Sequence, residues 1–197
     1  MTTPAREPLS PRLAPDLAFR ALDDLSEGAE SLRTRDQQLA GARLGRLGLL
    51  DCEFLRCDLA GVDATSSSLV RVALADCRLT GADLSEALLR DVLVQQSRVD
   101  LAALRDARME RVTFERCDLR ELDLQGARLH EVRFRGCDLS DAIFEDADCS
   151  RCELHDCTYT GLRGIGGLRG TTLGWADAVE LAPAFAAALG VRVEQRG

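Results

Sequence analysis

Cysteine and histidine are the residues whose spacing first suggests chemistry in this sequence. Cys149, Cys152 and Cys157 lie close together in the chain with His155 among them, a composition that superficially resembles a zinc site. The other histidine, His130, belongs to no arrangement of nucleophile, base and acid typical of a catalytic triad. Whether a metal or a nucleophile can act here depends on where the fold places these side chains.

Composition narrows the function further. The chain has 197 residues, a one-domain length, with 46% hydrophobic residues but only 4% aromatic ones, so small aliphatic side chains must fill the core. The net charge is −8, and all 25 basic residues are arginine. This charge argues against direct nucleic-acid binding and against an anionic membrane surface. With no apolar signal segment and no run long enough to span a bilayer, we expect a cytoplasmic protein with reduced cysteines.

An unbroken five-residue repeat organises most of the chain. Stepping by five from Leu39 to Tyr159 gives 25 central positions, of which 19 are Leu or Phe, and a small residue usually stands two positions before each centre. From 37 to 161, none of the 50 residues in these two classes is charged, whereas the other 75 carry 39 charges. Residues two apart on a strand face the same way, so the small residue and the centre point inward and the chain turns every five residues.

The number of sides per turn follows from like residues that recur every twenty positions. One such column contains the cysteines Cys57, Cys77, Cys117, Cys137 and Cys157, and a second contains the valines Val72, Val92, Val112 and Val132. A recurrence every twenty residues favours coils with four sides of five residues each. In this register all eight cysteines point inward, Cys149, Cys152 and Cys157 lie on three successive sides, and both histidines point outward. The sequence therefore predicts no metal site, no catalytic site and no cofactor. We expect local irregularities at Ala64, Val94, Gln95–Gln96 and Val99.

Segments such as CDLAG at Cys57, CDLRE at Cys117 and CDLSD at Cys137 resemble the repeat of pentapeptide-repeat proteins. This resemblance covers about two-thirds of the chain. It implies an all-β fold, a right-handed quadrilateral β-helix, to which the flanking sequence described below adds a helical C-terminal cap. Some members of the family bind DNA gyrase as DNA mimics, and some dimerise through their C-terminal ends.

Outward charges are unevenly distributed among the four sides. The two adjacent sides that contain Leu59 and Leu84 are the acidic ones, and they form a candidate acidic flank. Its members are Asp58, Asp63, Asp83, Glu86, Asp106, Asp118, Glu121, Asp123, Asp138, Asp141, Glu145 and Asp146. Two interpretations stay open. Aspartate suits the tight turns of the repeat, so the bias is a by-product of the fold, or the flank binds a basic groove as a DNA mimic.

The flanking segments predict caps. Residues 1–30 form a proline-containing arm, with a short helix from Asp16 that closes the first coil, and residues 31–161 form the β-helix. Residues 162–197 form a C-terminal cap, with a helix from Trp175 to Leu189 that Pro183 splits or restarts. The apolar residues of this helix are Trp175, Val179, Leu181, Phe185 and Leu189. They are expected to cover the last coil and, in a second interpretation, also to contact another subunit.

We therefore expect a non-catalytic interaction or scaffold protein whose partner is another protein. The alternative is a DNA-mimic modulator of DNA gyrase of the quinolone- or toxin-resistance type. A homodimer through the C-terminal cap is compatible with both hypotheses.

Overall fold

The computed structural model describes residues 4–14, 17–18 and 28–192. Parallel strands stack into a β-solenoid of about seven turns, one more than the 25 repeats alone predict, and a single helix follows it. The expected short helix from Asp16 lies largely outside the described residues. The strands and the helix are β1 (Ala29–Arg35), β2 (Gly48–Leu55), β3 (Ser68–Ala75), β4 (Leu88–Gln95), β5 (Arg108–Glu115), β6 (Arg128–His130), β7 (Arg133–Arg135), β8 (Asp148–Ser150), β9 (Glu153–His155), β10 (Thr172–Leu173) and α1 (Trp175–Ala188).

Pairing between coils confirms the four-sided register. Throughout β1 to β9, the paired residues are twenty positions apart, as Leu49 and Leu69 or Val72 and Val92 are. Two adjacent sides carry these strands, and the other two are joined by single parallel bridges such as Asp58 to Arg78. The register slips by one residue only at β10, where Leu173 pairs with Leu154.

The corners of the solenoid have a left-handed backbone. Every fifth residue from Ser31 to Gly161 has a positive φ, and most of these residues are not glycine. Aspartate is well represented among them because its short polar side chain tolerates this conformation. The expected irregularity at Gln95–Gln96 is wrong: Gln95 pairs in register with Glu115, and its side-chain amide donates a hydrogen bond to that carboxylate at 2.8 Å.

The core differs along the solenoid axis. In the C-terminal half, residues 106–173, Phe114 stacks on Phe134 with ring centroids 5.3 Å apart, and Phe144 meets Phe134 edge-on at 6.2 Å. In the N-terminal half, residues 29–105, an apolar cavity of about 60 Å³ is lined by residues from Leu44 to Leu104 and is bounded by Phe114 of the C-terminal half. Its lining includes the small central residues Ala64, Val94 and Val99. These three residues keep the register of the repeat but leave space that larger side chains would fill.

The C-terminal helix closes the last coil. Helix α1 continues through Pro183, so the predicted break at this proline is wrong. The carboxylate of Asp177 accepts hydrogen bonds from the backbone N–H groups of Asp156 and Cys157, and the carboxylate of Glu180 accepts one from that of Tyr159. These N–H groups lie on the open edge of the solenoid, where no further coil supplies carbonyl groups. The two carboxylates therefore replace the missing coil and protect the edge from further strand pairing.

The N-terminal arm, residues 4–14, lies along one corner of the solenoid. It runs from the C-terminal coils toward the N-terminal coils, opposite to the order in which the coils follow each other in the chain. The backbone N–H of Ala5 donates to Glu153 near the C-terminal end, that of Leu9 donates to Asp91, and that of Arg12 donates to Asp51 near the N-terminal end. An extended arm is as the sequence predicts. Its attachment along almost the whole solenoid is a finding that the sequence did not indicate.

Candidate functional site: an acidic corner cluster

Six of the twelve flank carboxylates have a structural task within the repeat. Each lies between the small residue and the central residue of its repeat, which we call the middle position. Each accepts a hydrogen bond from the backbone N–H two residues later, at 2.9 to 3.3 Å. This geometry closes the following corner as an Asx turn. Aspartate in these positions therefore follows from the fold, whatever the protein binds. The six are Asp58, Asp63, Asp83, Asp118, Asp123 and Asp138.

Arginine neutralises four of these six aspartates. Asp123 lies 2.6 Å from Arg105, and Asp58 lies 3.6 Å from Arg78. Arg120 lies between Asp118, at 2.7 Å, and Asp138, at 3.9 Å. The hydrogen bonds and charge of Arg120 lower the pKa of Asp118. The middle positions therefore contribute less negative potential than their number suggests.

Four other carboxylates keep their charge uncompensated. Asp106, Glu121, Asp141 and Asp146 are exposed, and within residues 4–14, 17–18 and 28–192 they make no ion pair or side-chain hydrogen bond that would neutralise them. All four occupy corners with left-handed backbone, where the side chain projects away from the core. We call these four residues the acidic corner cluster.

The cluster occupies two adjacent corners of the C-terminal half. Glu121 and Asp141 stack one coil apart on one corner, whereas Asp106 and Asp146 lie two coils apart on the next. One coil advances the axis by about 4.8 Å, so all four carboxylates fall within a few coils of each other. Between Asp106 and Asp146, Gly126 fills the corner, and a Cβ atom there would collide with the Asp106 carboxylate.

The remaining flank residues lie close to the cluster but differ from it. Glu86 accepts a hydrogen bond from the hydroxyl of Ser66 at 2.9 Å. Glu145 is half-buried, and its Oε2 atom is enclosed without a hydrogen-bond partner in the described part of the chain. The structure thus separates the predicted flank into structural, partly engaged and free carboxylates.

The arm leaves the acidic sides uncovered. It lies along the corner that contains Asp51 and Asp91, between the two strand-bearing sides. In a four-sided coil this corner is diagonally opposite the one that contains Glu121 and Asp141. A partner can therefore reach the acidic corner cluster while the arm stays in place.

Cysteine and histidine do not form a site in the described residues. All eight cysteines are buried and unpaired, as the inward register predicts. No group of three or more His, Cys, Asp or Glu residues that could hold a metal ion occurs in the part of the chain that the structure describes. His130 lies on the surface, where its Nδ1 atom is 2.8 Å from the Ser150 hydroxyl.

The predicted cap residues separate into two faces of α1. Leu181 is buried, and Phe185 is partly buried against the solenoid core. Trp175, which is 86% exposed, and Val179 are exposed on the helix, and Leu189, the residue after the helix, is exposed as well. Leu181 and Phe185 therefore form the lid, whereas Trp175 and Val179 present apolar side chains to the outside.

Sequence reasoning missed one set of residues, the corner beneath the arm. Its side chains alternate in charge every twenty residues along six coils, and we call this set the charge ladder. Its members are Asp51, Arg71, Asp91, Arg111, Glu131 and Arg151. The alternation is visible in the sequence once the period of twenty is known, and it could have indicated a corner distinct from the acidic sides.

Comparison with known proteins agrees with this architecture. A family model described as pentapeptide repeat region matches residues 47–124 and 98–163, which together exceed half of the chain. The chain belongs to the pentapeptide-repeat family. No curated protein matches it.

Solved structures of other pentapeptide-repeat proteins are similar to this chain. A trypsin-treated variant of QnrB1, a plasmid-mediated fluoroquinolone resistance protein, is 22% identical over 86% of this chain and 91% of its own, with a TM-score of 0.37. A pentapeptide repeat protein from the Arabidopsis thaliana thylakoid lumen is 21% identical over 57% and 68%, with a TM-score of 0.35. HetL of the cyanobacterium Nostoc sp., involved in heterocyst differentiation regulation, is 18% identical over 75% and 90%, with a TM-score of 0.23. None of these likenesses bears on what this pentapeptide-repeat protein binds.

Proposed function

We propose that this pentapeptide-repeat protein is a non-catalytic, cytoplasmic binding protein whose acidic corner cluster engages a basic surface on a protein partner. The observation that carries the proposal is the contrast within the flank. Arginine neutralises four of the six aspartates in the middle positions, and all six close turns of the repeat, whereas Asp106, Glu121, Asp141 and Asp146 have neither kind of partner among the described residues.

The uncompensated carboxylates favour binding of a basic partner for electrostatic reasons. Uncompensated like charges on neighbouring corners repel one another and raise the local negative potential. A partner with arginine or lysine at matching spacing relieves this repulsion and is steered to the site at a higher association rate. The solenoid supports such recognition because its stacked coils hold the carboxylates at fixed separations.

Partner capture tests the binding function. A tagged protein is cross-linked in a bacterial lysate and compared with two triple variants. The test variant carries Asp106→Asn, Asp141→Asn and Asp146→Asn. The control carries Asp36→Asn, Asp76→Asn and Asp156→Asn, three exposed corner aspartates in a single column outside the cluster. We expect partners that the test variant loses and the control keeps; equal capture by all three proteins contradicts the proposal.

The DNA-binding groove of DNA gyrase is the second candidate partner. What favours it is that the four free carboxylates lie in two short columns on adjacent corners of a narrow solenoid, so that anionic groups stand in neighbouring rows, as they do along the backbone of a nucleic acid. In this hypothesis the acidic corner cluster competes with DNA, and the protein modulates the enzyme without catalysis of its own.

A supercoiling assay separates this candidate from the general proposal. Purified protein is titrated into gyrase with relaxed plasmid, with and without a quinolone. We expect inhibition or protection by the native protein and by the control variant, and loss of the effect in the test variant. If the native protein changes nothing at a large excess over gyrase, gyrase is excluded as partner while a different basic partner still stands.

The outward apolar face of α1 supports a homodimer through the C-terminal cap. Trp175 and Val179 lie one helical turn apart on this face, and both are exposed. Sedimentation equilibrium is expected to show a dimer for the native protein and a monomer for the Trp175→Ser, Val179→Ser variant. A native monomer at all concentrations contradicts this part of the proposal.

A further inference from the structure

The corner beneath the arm has the features of a peptide-binding groove. Outward-facing residues along it are buried although they point away from the core, because the arm covers them. They are Asp51, Asp91, Thr113, Glu131, Arg133 and Glu153. A covered row of polar side chains of this kind is found nowhere else on the described solenoid surface.

The arm has the period of a polyproline II helix. Ala5, Pro8 and Pro11 are three residues apart and are less exposed than their immediate neighbours. The residues that meet the ladder acids are also three apart: Arg12 and Leu9 donate their N–H groups to Asp51 and Asp91, and the Arg6 side chain lies 3.8 Å from Glu131. In a helix with three residues per turn, Ala5, Pro8 and Pro11 therefore share one face, which packs on the groove. Arg6, Leu9 and Arg12 share another face, which contacts the acids of the charge ladder.

The spacing of the two partners agrees. In a polyproline II segment, three residues advance by about 9.3 Å. Two coils of the solenoid advance by about 9.6 Å. The acids of the charge ladder recur every second coil, so each turn of the arm reaches one new acid. The distance between successive acids of the ladder therefore matches the length of one turn of the arm.

Arginines of the ladder hold the acids in position. Arg71 lies 2.6 Å from Asp51, Arg111 lies 2.7 Å from Asp91, and Arg151 lies 3.3 Å from Glu131. Each guanidinium orients a carboxylate whose remaining lone pairs can accept an N–H from the arm. The groove is therefore built by the solenoid itself.

Recognition depends mostly on the main chain of the arm. Ala5, Leu9 and Arg12 use their backbone N–H groups, and the side chains of Leu9 and Arg12 are exposed. Two charged side chains of the arm add three ion pairs: Glu7 lies 2.6 Å from the buried Arg133 and 3.7 Å from Arg135, and Arg6 lies 3.8 Å from Glu131. Since main-chain groups supply the hydrogen bonds, the groove selects an extended segment with suitably spaced prolines, and the ion pairs add to this selection.

One polar group of the groove is unused by the arm. The hydroxyl of Thr113 is buried, with the residue only 3% exposed, and has no hydrogen-bond partner among the described residues. Pro8, which lies between the anchor residues Ala5 and Leu9, has no N–H to offer. The arm therefore leaves a buried hydroxyl for a ligand that presents a polar group at this level.

We propose that this groove is a binding site for extended proline-rich segments of partner proteins with a three-residue repeat, and that the arm occupies it as an intramolecular competitor. This binding site lies on a different corner from the acidic corner cluster and does not depend on it. The arm is tethered, so its high effective concentration weakens a ligand offered in trans.

A peptide-binding experiment tests the proposal. The probe is a fluorescein-labelled peptide with the sequence of residues 4–14. It is titrated into the native protein and into an arm-replaced variant, a full-length chain in which residues 4–14 become glycine and serine. We expect saturable binding to the variant, at least about tenfold weaker binding to the native protein, and a large loss of binding when Asp51→Ala and Asp91→Ala are added to the variant. A peptide with the same composition but displaced prolines is the matched control and is expected not to bind.

The proposal is overturned if the arm-replaced variant, with a native circular dichroism spectrum, does not bind the peptide, or binds the displaced-proline control equally well. Should that variant not fold, the native protein suffices. Millimolar unlabelled peptide is expected to shift the amide resonances of Leu9 and Arg12 as the tethered arm is displaced, and unchanged resonances contradict the proposal. Light scattering during the titration distinguishes peptide binding from exchange of arms between two copies, since arm exchange doubles the mass and would contradict the assignment to a partner segment.

Discussion

The two halves of the solenoid share one backbone plan and differ in what their side chains do with it. In the C-terminal half, Phe114, Phe134 and Phe144 form a continuous group of rings, and the acidic corner cluster projects from the outside. In the N-terminal half, an apolar cavity of about 60 Å³ occupies the axis. The repeat therefore fixes the path of the chain, whereas the size of the central residues determines how firmly each half is packed.

This difference has a consequence for binding. A rigid scaffold holds charged groups at set distances, so a partner does not have to order them on binding. The free carboxylates are carried by the better-packed half, which suits recognition by fixed geometry. The N-terminal half, with its cavity and fewer rings, is expected to open locally at lower free energy.

Removal of a ring from the stack is expected to have the largest effect on stability. Phe134→Ala should lower the free energy of unfolding by about 3–5 kcal/mol, because it creates a cavity. Phe54→Ala should cost about 1–3 kcal/mol less, since Phe134 loses two ring contacts worth about 0.5–1.5 kcal/mol each and Phe54 has no ring contact within the described part of the chain. Urea denaturation measures both values, and equal losses would contradict the described difference between the halves.

Enlargement of a central leucine is expected to act in opposite directions in the two halves. Leu84 and Leu124 occupy the same side two coils apart; Leu84 lines the cavity, whereas Leu124 is fully buried beside Phe144. Leu124→Phe should destabilise by about 1–3 kcal/mol through overpacking. Leu84→Phe should be neutral or stabilising because the added atoms enter existing space. Thermal unfolding compares the pair, and similar destabilisation by both would argue that the cavity cannot accept a ring.

Acid is expected to release the arm from the N-terminal half. Hydrogen bonds from Arg71 and from the backbone of Arg12 lower the pKa of Asp51. Burial opposes the shift at Asp91, but Arg111, the N–H of Leu9 and the charge of Arg90 bring its pKa below the usual value. A carboxyl whose pKa is lower in the folded state stabilises the fold above its unfolded pKa of about 3.9, and this stabilisation is lost as the pH falls further.

The amide resonances of Leu9 and Arg12 report this release. Their protection from exchange should persist from neutral pH to about pH 4 and decline below it. The Asp51→Asn, Asp91→Asn variant should lack this dependence. Arm protection that is unchanged in acid, or that is lost near neutral pH, would contradict the role of these two carboxylates.

The smallest expected effect is a difference in thiol reactivity. Cys57 in the N-terminal half and Cys117 in the C-terminal half lie in the same column, and in each the cysteine one coil further along lowers the pKa of the thiol, to about 7 for Cys57. Both thiols are buried, so labelling requires the surrounding coils to open. Because the N-terminal half is expected to open at lower free energy, iodoacetamide at pH 8 should label Cys57 before Cys117, as peptide mass spectrometry can measure. Simultaneous labelling would show that both halves open together.

The sequence predicts the fold more completely than the site. The five-residue period and the twenty-residue columns are enough to predict inward and outward residues, because alternation along a strand admits one register. They also indicate where packing weakens, since Ala64, Val94 and Val99 interrupt the large central residues, although the sequence suggests irregular backbone there rather than a cavity. The continuous helix at Pro183 was not predictable from the local pattern, because packing of Leu181 on the core holds the helix together.

The acidic site was predictable only as a surface. Sequence alone placed twelve carboxylates on two sides, but which of them are neutralised depends on contacts between coils. Asp58 meets Arg78 one coil away, whereas Asp123 meets Arg105 on a different column of the same side. Attachment of the arm was also outside the reach of the sequence pattern, since it depends on a match between two unrelated periods.

The most direct test of the difference between the halves is native-state hydrogen exchange at four leucine amides. Leu59, Leu79, Leu119 and Leu139 occupy equivalent positions on one side, and each donates its N–H to the next coil at 2.6 to 2.8 Å. Leu59 and Leu79 are 7% exposed, whereas Leu119 and Leu139 are fully buried. We predict faster exchange at Leu59 and Leu79 than at Leu119 and Leu139. Equal rates at all four amides, or slower exchange in the N-terminal half, would contradict the account.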